Sequence, residues 1–166
     1  MIPTKEQAFR LTLKLLEKAP AFSAATDEDG RLNLSDYLGK INLVLYFYPK
    51  DETPGCTKEA CTFRDNWDRI SAMDAKIVGI SRDSISSHKS FKEHHSLPFT
   101  LVSDVDGSIA KLYGLSGNFL MRPRVTFVID KEGTIRLICD SQVHMARHVK
   151  DSIKALQEIR SENNPS

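Results

Sequence analysis

Residues 41–61 read INLVLYFYPKDETPGCTKEAC, and the interpretation of the whole chain starts from this stretch. The apolar and aromatic run at residues 41–48 is bounded by turn residues, which is typical of a buried strand. It ends at Pro49, and the pair Pro54-Gly55 stands directly before Cys56. The pattern predicts a rigid loop that brings the Cys56 thiol to the start of a helix.

This predicted position makes Cys56 a candidate nucleophile. The reactive form is the thiolate, and a cysteine with the usual pKa of about 8.5 is only a few per cent ionised at pH 7. A helix N-terminus favours the thiolate, because it offers unpaired backbone N–H donors and the positive end of the helix dipole. Thr53, three residues earlier, can place a hydroxyl beside the sulfur. Taken alone, a small buried cysteine at a helix start explains Cys56 equally well.

Length and composition exclude several classes of protein. The chain has 166 residues, of which 40% are hydrophobic and 27% charged, so we expect a single domain over residues 1–166 with a frayed tail at 161–166. A net charge of +1 predicts no nucleic-acid or acidic-membrane binding, and no apolar run is long enough to span a membrane. Three cysteines are too few for a secreted disulfide framework, and the N-terminus lacks signal-peptide form. We therefore expect a reducing, cytoplasmic setting.

Strands and helices alternate along the chain, which predicts an α/β fold with a central sheet covered by helices on both faces. Asp27-Glu28-Asp29-Gly30 is a turn signal that predicts an N-terminal hairpin extension. The leucine-rich residues 11–16 fit either a helical turn or an edge strand. The predicted strands are 41–48, 76–81, 99–102, 125–129 and 134–139. The predicted helices are a short turn at 35–39, then 57–73, 84–95 with Ser84 as N-cap, 108–113 and 143–160.

The other cysteines and the histidines give weaker signals. The spacing of Cys56 and Cys61 is within the loose range seen at zinc sites, but a structural zinc needs four ligands and no matching pair occurs elsewhere. His144 and His148 are four residues apart without the glutamate of a zinc helix. We therefore expect no metal site, and histidines that are surface or satisfied core residues. Cys139 is expected to be buried filler, with resolution of Cys56 as the alternative.

The wider pattern resembles a known family. Pro49, Thr53 and Cys56 match the peroxiredoxin active-site signature, and the residues around them are similar to the bacterioferritin comigratory protein, or peroxiredoxin Q, subfamily. The resemblance is carried by residues 19–22, 29–30, 34–40, 46–65, 78–83, 99–104 and 124–133. Departures from the subfamily pattern occur outside the signature, at Ala21, Glu52, Trp67 and Arg122-Pro123.

The resemblance implies a thioredoxin-like fold, with a central mixed β-sheet flanked by helices, and reduction of hydrogen peroxide and organic hydroperoxides by Cys56. Arg124 corresponds to the family arginine that faces the peroxidatic sulfur, so Thr53 and Arg124 would bind the peroxide. Pro49 would shield the sulfur from water. Apart from the resemblance, Glu59, one helical turn after Cys56, has two alternative roles: it holds Arg124 in place, or it simply suits the first turn of a helix.

Cys61 matches the position of the subfamily's resolving cysteine, which implies an intramolecular Cys56–Cys61 disulfide. Thioredoxin or a glutaredoxin-like dithiol donor would reduce that bond, and no haem, flavin or metal is expected. A monomer and a weak dimer are both compatible with the sequence. The alternatives are a redox sensor and a one-cysteine peroxidase with an external resolving thiol. A thiol–disulfide exchanger usually needs a Cys-x-x-Cys pair, which this chain lacks.

Helix geometry predicts that a Cys56–Cys61 bond would unwind the helix that carries both residues. Five helical residues place the two Cα atoms roughly 8.6 Å apart, whereas a disulfide needs less than about 7 Å. Oxidation of the pair is therefore expected to accelerate amide hydrogen exchange over residues 57–63, and reduction to restore protection. Unchanged exchange in that segment after oxidation would contradict the prediction.

Overall fold

The computed structural model describes residues 13–115 and 122–163. A two-stranded antiparallel hairpin precedes the main sheet and consists of β1 (Ser23–Ala25) and β2 (Arg31–Asn33). The N-terminal hairpin expected from the turn signal at residues 27–30 is therefore confirmed. The described part of the leucine-rich segment forms a turn followed by an isolated antiparallel bridge from Lys18 to Thr134, and residues 11–12 lie outside the described range.

Five strands form the central sheet in the spatial order β5-β4-β3-β6-β7. Three of them are parallel, and β6 and β7 are antiparallel to their neighbours, so the sheet is mixed as predicted. The strands are β3 (Asn42–Phe47), β4 (Ala75–Ser81), β5 (Thr100–Ser103), β6 (Val125–Ile129) and β7 (Ile135–Asp140). Each of the five lies within one residue of its predicted range.

Helices cover both faces of this sheet. They are α1 (Pro54–Asp65), α2 (Trp67–Ser71), α3 (Ile85–His95), α4 (Ser108–Leu112) and α5 (Met145–Asn163), with a short 3₁₀ helix at Leu34–Asp36. Ser84 caps α3 as predicted, and its side chain accepts a hydrogen bond from the backbone N–H of Ser87. Among the residues described, no helix combines the length and apolar character needed to cross a bilayer.

Strand β3 is buried at every position because each face of the sheet meets a separate apolar core. Its side chains alternate between the two faces, so Val44 and Tyr46 join one core while Leu43 and Leu45 join the other. The first core takes in residues of α1, α2, α3 and α5, and the second takes in the hairpin and α4. Continuous burial explains why β3 is nearly all apolar in sequence.

The predicted helix at residues 57–73 is wrong at its start and in its middle. The helix begins at Pro54, because proline suits the first helical turn, where its missing N–H would have no partner in any case. It ends at Asp65, and Asn66 separates it from α2. The Asn66 side-chain amide donates to the carbonyl of Thr62 at 2.9 Å, a local bond that competes with the helical pattern.

The C-terminal helix also differs from its prediction, since it begins at Met145 rather than Val143 and runs to Asn163. The expected frayed tail at 161–166 is therefore wrong for residues 161–163, and residues 164–166 lie outside the described range. Buried Ile159 and an ion pair between Glu162 and Arg136 hold the last turns against the sheet.

The tight contact between β3, β4 and β5 predicts a destabilising substitution. A Cβ on Gly79 would lie 2.9 Å from Leu101 and 3.0 Å from the Tyr46 ring, so Gly79→Ala is expected to cost about 1–3 kcal/mol in the free energy of unfolding. Gly30→Ala is the matched control, because nothing lies within 4 Å of its added Cβ. Urea unfolding measures both, and equal stabilities of the two variants would contradict the prediction.

Candidate active site

Residues 49–53, which lie between β3 and α1, are called here the active-site loop. Its centre is held by the buried carboxylate of Asp51, whose backbone N–H also donates to Asp83 at 2.9 Å. The carboxylate accepts hydrogen bonds from three side chains, namely Tyr48 at 2.6 Å, Ser87 at 2.8 Å and His88 at 2.8 Å. The loop is therefore attached to the start of α3.

His88 completes this attachment through both of its ring nitrogens. Its Nε2 lies 3.0 Å from the carbonyl of Val102, and its Nδ1 faces the Asp51 carboxylate. Because carbonyl and carboxylate oxygens accept but do not donate, both ring nitrogens are placed to donate a proton. The Asp51–His88 pair therefore links the active-site loop, α3 and β5. The entrance of the loop is held separately, since Arg122 donates to the Pro49 carbonyl at 3.3 Å.

Cys56 is the third residue of α1, and its side chain is buried. Thr53 is the N-cap, and its carbonyl accepts the first helical hydrogen bond, from the N–H of Thr57 at 2.9 Å. The N–H groups of Gly55 and Cys56 come before that bond, so the sulfur lies beside the electropositive end of the helix. The sequence placed Cys56 before a helix at residue 57, whereas the structure places it inside the first turn.

Gly55 allows two other side chains to approach this turn. A Cβ added there would lie 2.7 Å from the Met145 Cε and 3.1 Å from the Arg124 Nη2. The absence of a side chain at residue 55 thus leaves room for the guanidinium on one side and the first residue of α5 on the other.

Arg124, directly before β6, is buried and uses three N–H groups on three acceptors. Nη2 lies 3.5 Å from the Cys56 sulfur, and Nη1 donates to Glu59 Oε1 at 3.0 Å. Nε donates to the carbonyl of Gln142 at 3.3 Å. The approach of Arg124 to the sulfur was predicted from the sequence, and contact with Glu59 was one of two roles expected for that carboxyl; the structure has both contacts.

Glu59 is buried, and its two oxygens have different surroundings. Oε1 bonds to Arg124, whereas Oε2 has no hydrogen-bond partner among the described residues. Burial raises the pKa of Glu59 to about 7, and the charge and hydrogen bond of Arg124 oppose that rise. Near neutral pH the carboxyl is therefore partly protonated.

His148 of α5 lies next to Glu59, with its Nδ1 3.7 Å from Oε2. Its Nε2 faces the Ser141 carbonyl at 2.7 Å and so carries the proton, while Nδ1 accepts from the Thr126 hydroxyl at 2.8 Å. Burial lowers the pKa of His148, with further lowering by the charge of Arg124. A neutral imidazole beside Oε2 gives no charge stabilisation to the Glu59 carboxylate, which agrees with the raised pKa of Glu59.

Three further residues from the sequence analysis are Thr53, Cys61 and Cys139. The Thr53 hydroxyl donates to the Lys50 carbonyl at 2.8 Å rather than to the sulfur, so its oxygen can take part in further hydrogen bonds only as an acceptor. Cys61 is half-buried on α1 with a free thiol. Cys139 is buried on β7, and burial raises the pKa of its thiol to about 12, as the filler interpretation suggests.

Sequence reasoning did not connect His88, His148 or Met145 with the site. The expectation that histidines would be surface or satisfied core residues is correct for His88 and His148, whose ring nitrogens all have partners. Their role as neighbours of the loop and of Glu59 follows only from packing. No spacing rule links positions that lie so far apart in the chain.

The chain is similar in sequence to proteins of a known family. Residues 15–138 match the model of the AhpC/TSA family. A chloroplastic peroxiredoxin Q of Populus jackii is 43% identical over 145 residues, which cover 86% of this chain and 68% of the relative.

The chain belongs to the AhpC/TSA family.

Solved structures agree with this membership. Peroxidoxin BcpB from Mycobacterium tuberculosis matches with a TM-score of 0.84 at 33% identity, over 90% of this chain and 99% of that one. The bacterioferritin comigratory protein of Xanthomonas campestris, studied for alkyl peroxide reduction, matches with a TM-score of 0.77 at 30% identity, over 84% and 92% of the two chains. The thioredoxin-like peroxiredoxin fold and the peroxiredoxin Q resemblance are thereby confirmed.

The buried carboxyl of this peroxiredoxin predicts a pH dependence of stability. The folded protein keeps a proton on Glu59 up to about pH 7, whereas the unfolded chain releases it near the usual value of 4.5. Stability is therefore expected to fall as pH rises from about 4.5 to 7, by an amount on the order of 3 kcal/mol from this group.

Glu59→Gln removes the titrating proton and is expected to flatten that fall, as measured by urea unfolding at pH 5 and pH 7.5. The free energy of unfolding of the variant relative to wild type should rise between the two pH values. Glu158→Gln, at an exposed position of α5, is the matched control and should keep the wild-type profile. Parallel profiles for wild type and Glu59→Gln would contradict the raised pKa.

Proposed function

We propose that the chain is a thiol-dependent peroxidase that reduces hydrogen peroxide and organic hydroperoxides with Cys56 as the peroxidatic cysteine. The observation that carries the proposal is the buried Arg124 guanidinium, which lies 3.5 Å from the Cys56 sulfur at the first turn of α1. A permanent cation and a helix N-terminus together favour a thiolate. Peroxiredoxin Q and bcp relatives support the same chemistry.

In the first step the Cys56 thiolate attacks one peroxide oxygen, the O–O bond breaks, and the other oxygen leaves with the electron pair as hydroxide or alkoxide. The sulfur becomes a sulfenic acid after proton transfer, and the leaving oxygen becomes water or an alcohol. Negative charge moves from the sulfur to the leaving oxygen. Arg124 suits this step because its planar N–H groups can follow that charge.

Thr53 and Pro49 complete the proposed peroxide site. The Thr53 hydroxyl is committed as a donor to Lys50, so it would accept a hydrogen bond from the peroxide OH. Pro49 is half-buried beside the loop entrance and would limit the access of water to the sulfur. Glu59 would orient Arg124 through the 3.0 Å hydrogen bond.

In the second step the Cys61 thiolate attacks the sulfenic sulfur, a Cys56–Cys61 disulfide forms, and hydroxide leaves and is protonated to water. Both cysteines lie on α1, so its first turns must unwind before the sulfurs can meet. Cys139 is a poor resolving residue, because its buried thiol stays protonated at neutral pH. Competition between unwinding and a second peroxide then decides how much sulfinic acid forms.

A dithiol donor such as thioredoxin would reduce the disulfide by thiol–disulfide exchange. Unwinding of α1 would expose the bond to that donor. Organic hydroperoxides are included as substrates because the Xanthomonas campestris relative was studied for alkyl peroxide reduction. A cytoplasmic location is part of the same proposal, since a reducing compartment keeps the donor in its dithiol form.

Three cysteine variants test the proposal. Cys56→Ser is expected to lose peroxide reduction to background. Cys61→Ser should keep a fast first reaction with one equivalent of peroxide but lose thioredoxin-linked turnover. Stopped-flow fluorescence of the single tryptophan, Trp67, and NADPH consumption with thioredoxin and its reductase measure the two steps.

Cys139→Ala is the matched control and should leave both steps unchanged, because Cys139 contacts none of the reacting groups in the proposal. Activity retained in Cys56→Ser would overturn the choice of nucleophile. Full thioredoxin-linked turnover in Cys61→Ser would overturn the intramolecular resolution.

A further inference from the structure

Three side chains outside the proposed reaction meet where the active-site loop touches the end of α3. Glu52 belongs to the loop, and His94 and His95 are the last two residues of α3. His94 Nδ1 lies 3.1 Å from Glu52 Oε1, and His95 Nε2 lies 3.1 Å from Glu52 Oε2. One donor atom from each residue lies within 4.8 Å of the other two.

We propose that Glu52, His94 and His95 form a binding site for a divalent transition metal, with zinc as the best-fitting ion. Two imidazoles and one carboxylate are a ligand set that zinc accepts, and they leave a position for water. Metal–ligand distances of about 2.0–2.2 Å in a tetrahedron place ligand atoms roughly 3.3–3.6 Å apart. The observed separations of 3.1 and 3.3 Å between imidazole and carboxylate atoms are already close to that spacing.

The site is both reachable and partly fixed in place. The side chains of Glu52 and His94 are 46% and 68% exposed, so an ion can enter from solvent, while that of His95 is only 17% exposed. The His95 ring packs edge-on against Phe91 at 5.1 Å, which holds one ligand before the ion arrives.

The charges around the site permit a cation. Arg64 is a basic side chain next to the site, and the Arg64 Nη1 donates to the His95 carbonyl at 2.7 Å. The Arg64 guanidinium is also paired with Asp65 at 3.0 Å, which offsets its charge. Without metal, imidazole nitrogens face the carboxylate oxygens, so an incoming ion replaces these hydrogen bonds with metal–ligand bonds.

Metal at this site would attach the active-site loop to the end of α3. This attachment would add to that of Asp51 at the start of the same helix. Glu52 directly precedes Thr53, the N-cap of α1, whose first turn must unwind for the Cys56–Cys61 bond to form. Zinc is therefore expected to slow resolution while the first peroxide reaction stays unchanged. This consequence rests on the proposed function, whereas binding of the ion does not.

The binding experiment uses the full chain with Cys56→Ser and Cys61→Ser, so that those thiols do not compete for zinc. Isothermal titration calorimetry at pH 7.5 is expected to show one zinc ion per chain. Glu52→Gln and His95→Gln should each weaken binding by roughly tenfold or more, since each removes one of three ligands. His144→Gln, an exposed histidine outside the cluster, is the control and should bind as the parent does.

Circular dichroism checks that each variant is folded, and cobalt absorption spectra give a second readout of the ligand set without thiolate. No binding by the parent, or equal binding by Glu52→Gln and the parent, would overturn the site.

A kinetic arm uses the wild-type cysteines and Trp67 fluorescence. Zinc should slow disulfide formation several-fold in wild type and have no effect in Glu52→Gln. An equal zinc effect in both would overturn the regulatory consequence. Absence of any peroxide reaction would instead count against the proposed function and leave the calorimetric result standing.

Discussion

Arg124 enters the protein interior between the first turn of α1 and the start of α5, with three N–H groups committed to acceptors. A buried guanidinium is tolerated only when its donors are satisfied, because desolvation of the charge is costly. The carbonyl of Gln142, the carboxyl of Glu59 and the Cys56 sulfur accept from three of its five N–H groups. The cation proposed to assist peroxide reduction is thus also a packed part of the interior, and Gly55 gives it the space to approach the helix.

Two acidic groups share this one cation. A Cys56 thiolate and a Glu59 carboxylate together would leave excess negative charge in a buried site, and the neutral ring of His148 adds no compensation. Burial raises the pKa of Glu59, and the charge and hydrogen bond of Arg124 oppose that rise. Helix α5 therefore influences the site through His148, although none of its predicted catalytic residues lies on that helix.

The active-site loop is attached to α3 at both ends of that helix, through Asp51 and His88 at its start and through Glu52 at its end. These contacts favour the folded arrangement in which Cys56 faces Arg124. Formation of a Cys56–Cys61 bond needs the opposite, an unwound first turn of α1. Turnover would depend on the balance between this attachment and the unwinding of α1. Residues outside the signature, such as Glu52, would change turnover by shifting that balance.

Local sequence determined the buried strand at residues 41–48, the loop and the place of Cys56, because apolar runs, prolines and glycines act on their immediate neighbours. The approach of Arg124 to the sulfur was predicted through the family resemblance, and its pairing with Glu59 was one of two roles expected for that carboxyl. The start of α1 at Pro54 and its break at Asn66 are local effects as well, of a proline in the first helical turn and of a side-chain hydrogen bond to Thr62, but the predicted helix boundaries missed both. Only the tertiary structure decided the contacts between distant elements. It alone brought together residues that are distant in the chain, namely Asp51 with His88, Glu59 with His148, and Glu52 with His94 and His95. Such contacts arise when helices pack on the sheet, and no local pattern of residues specifies them.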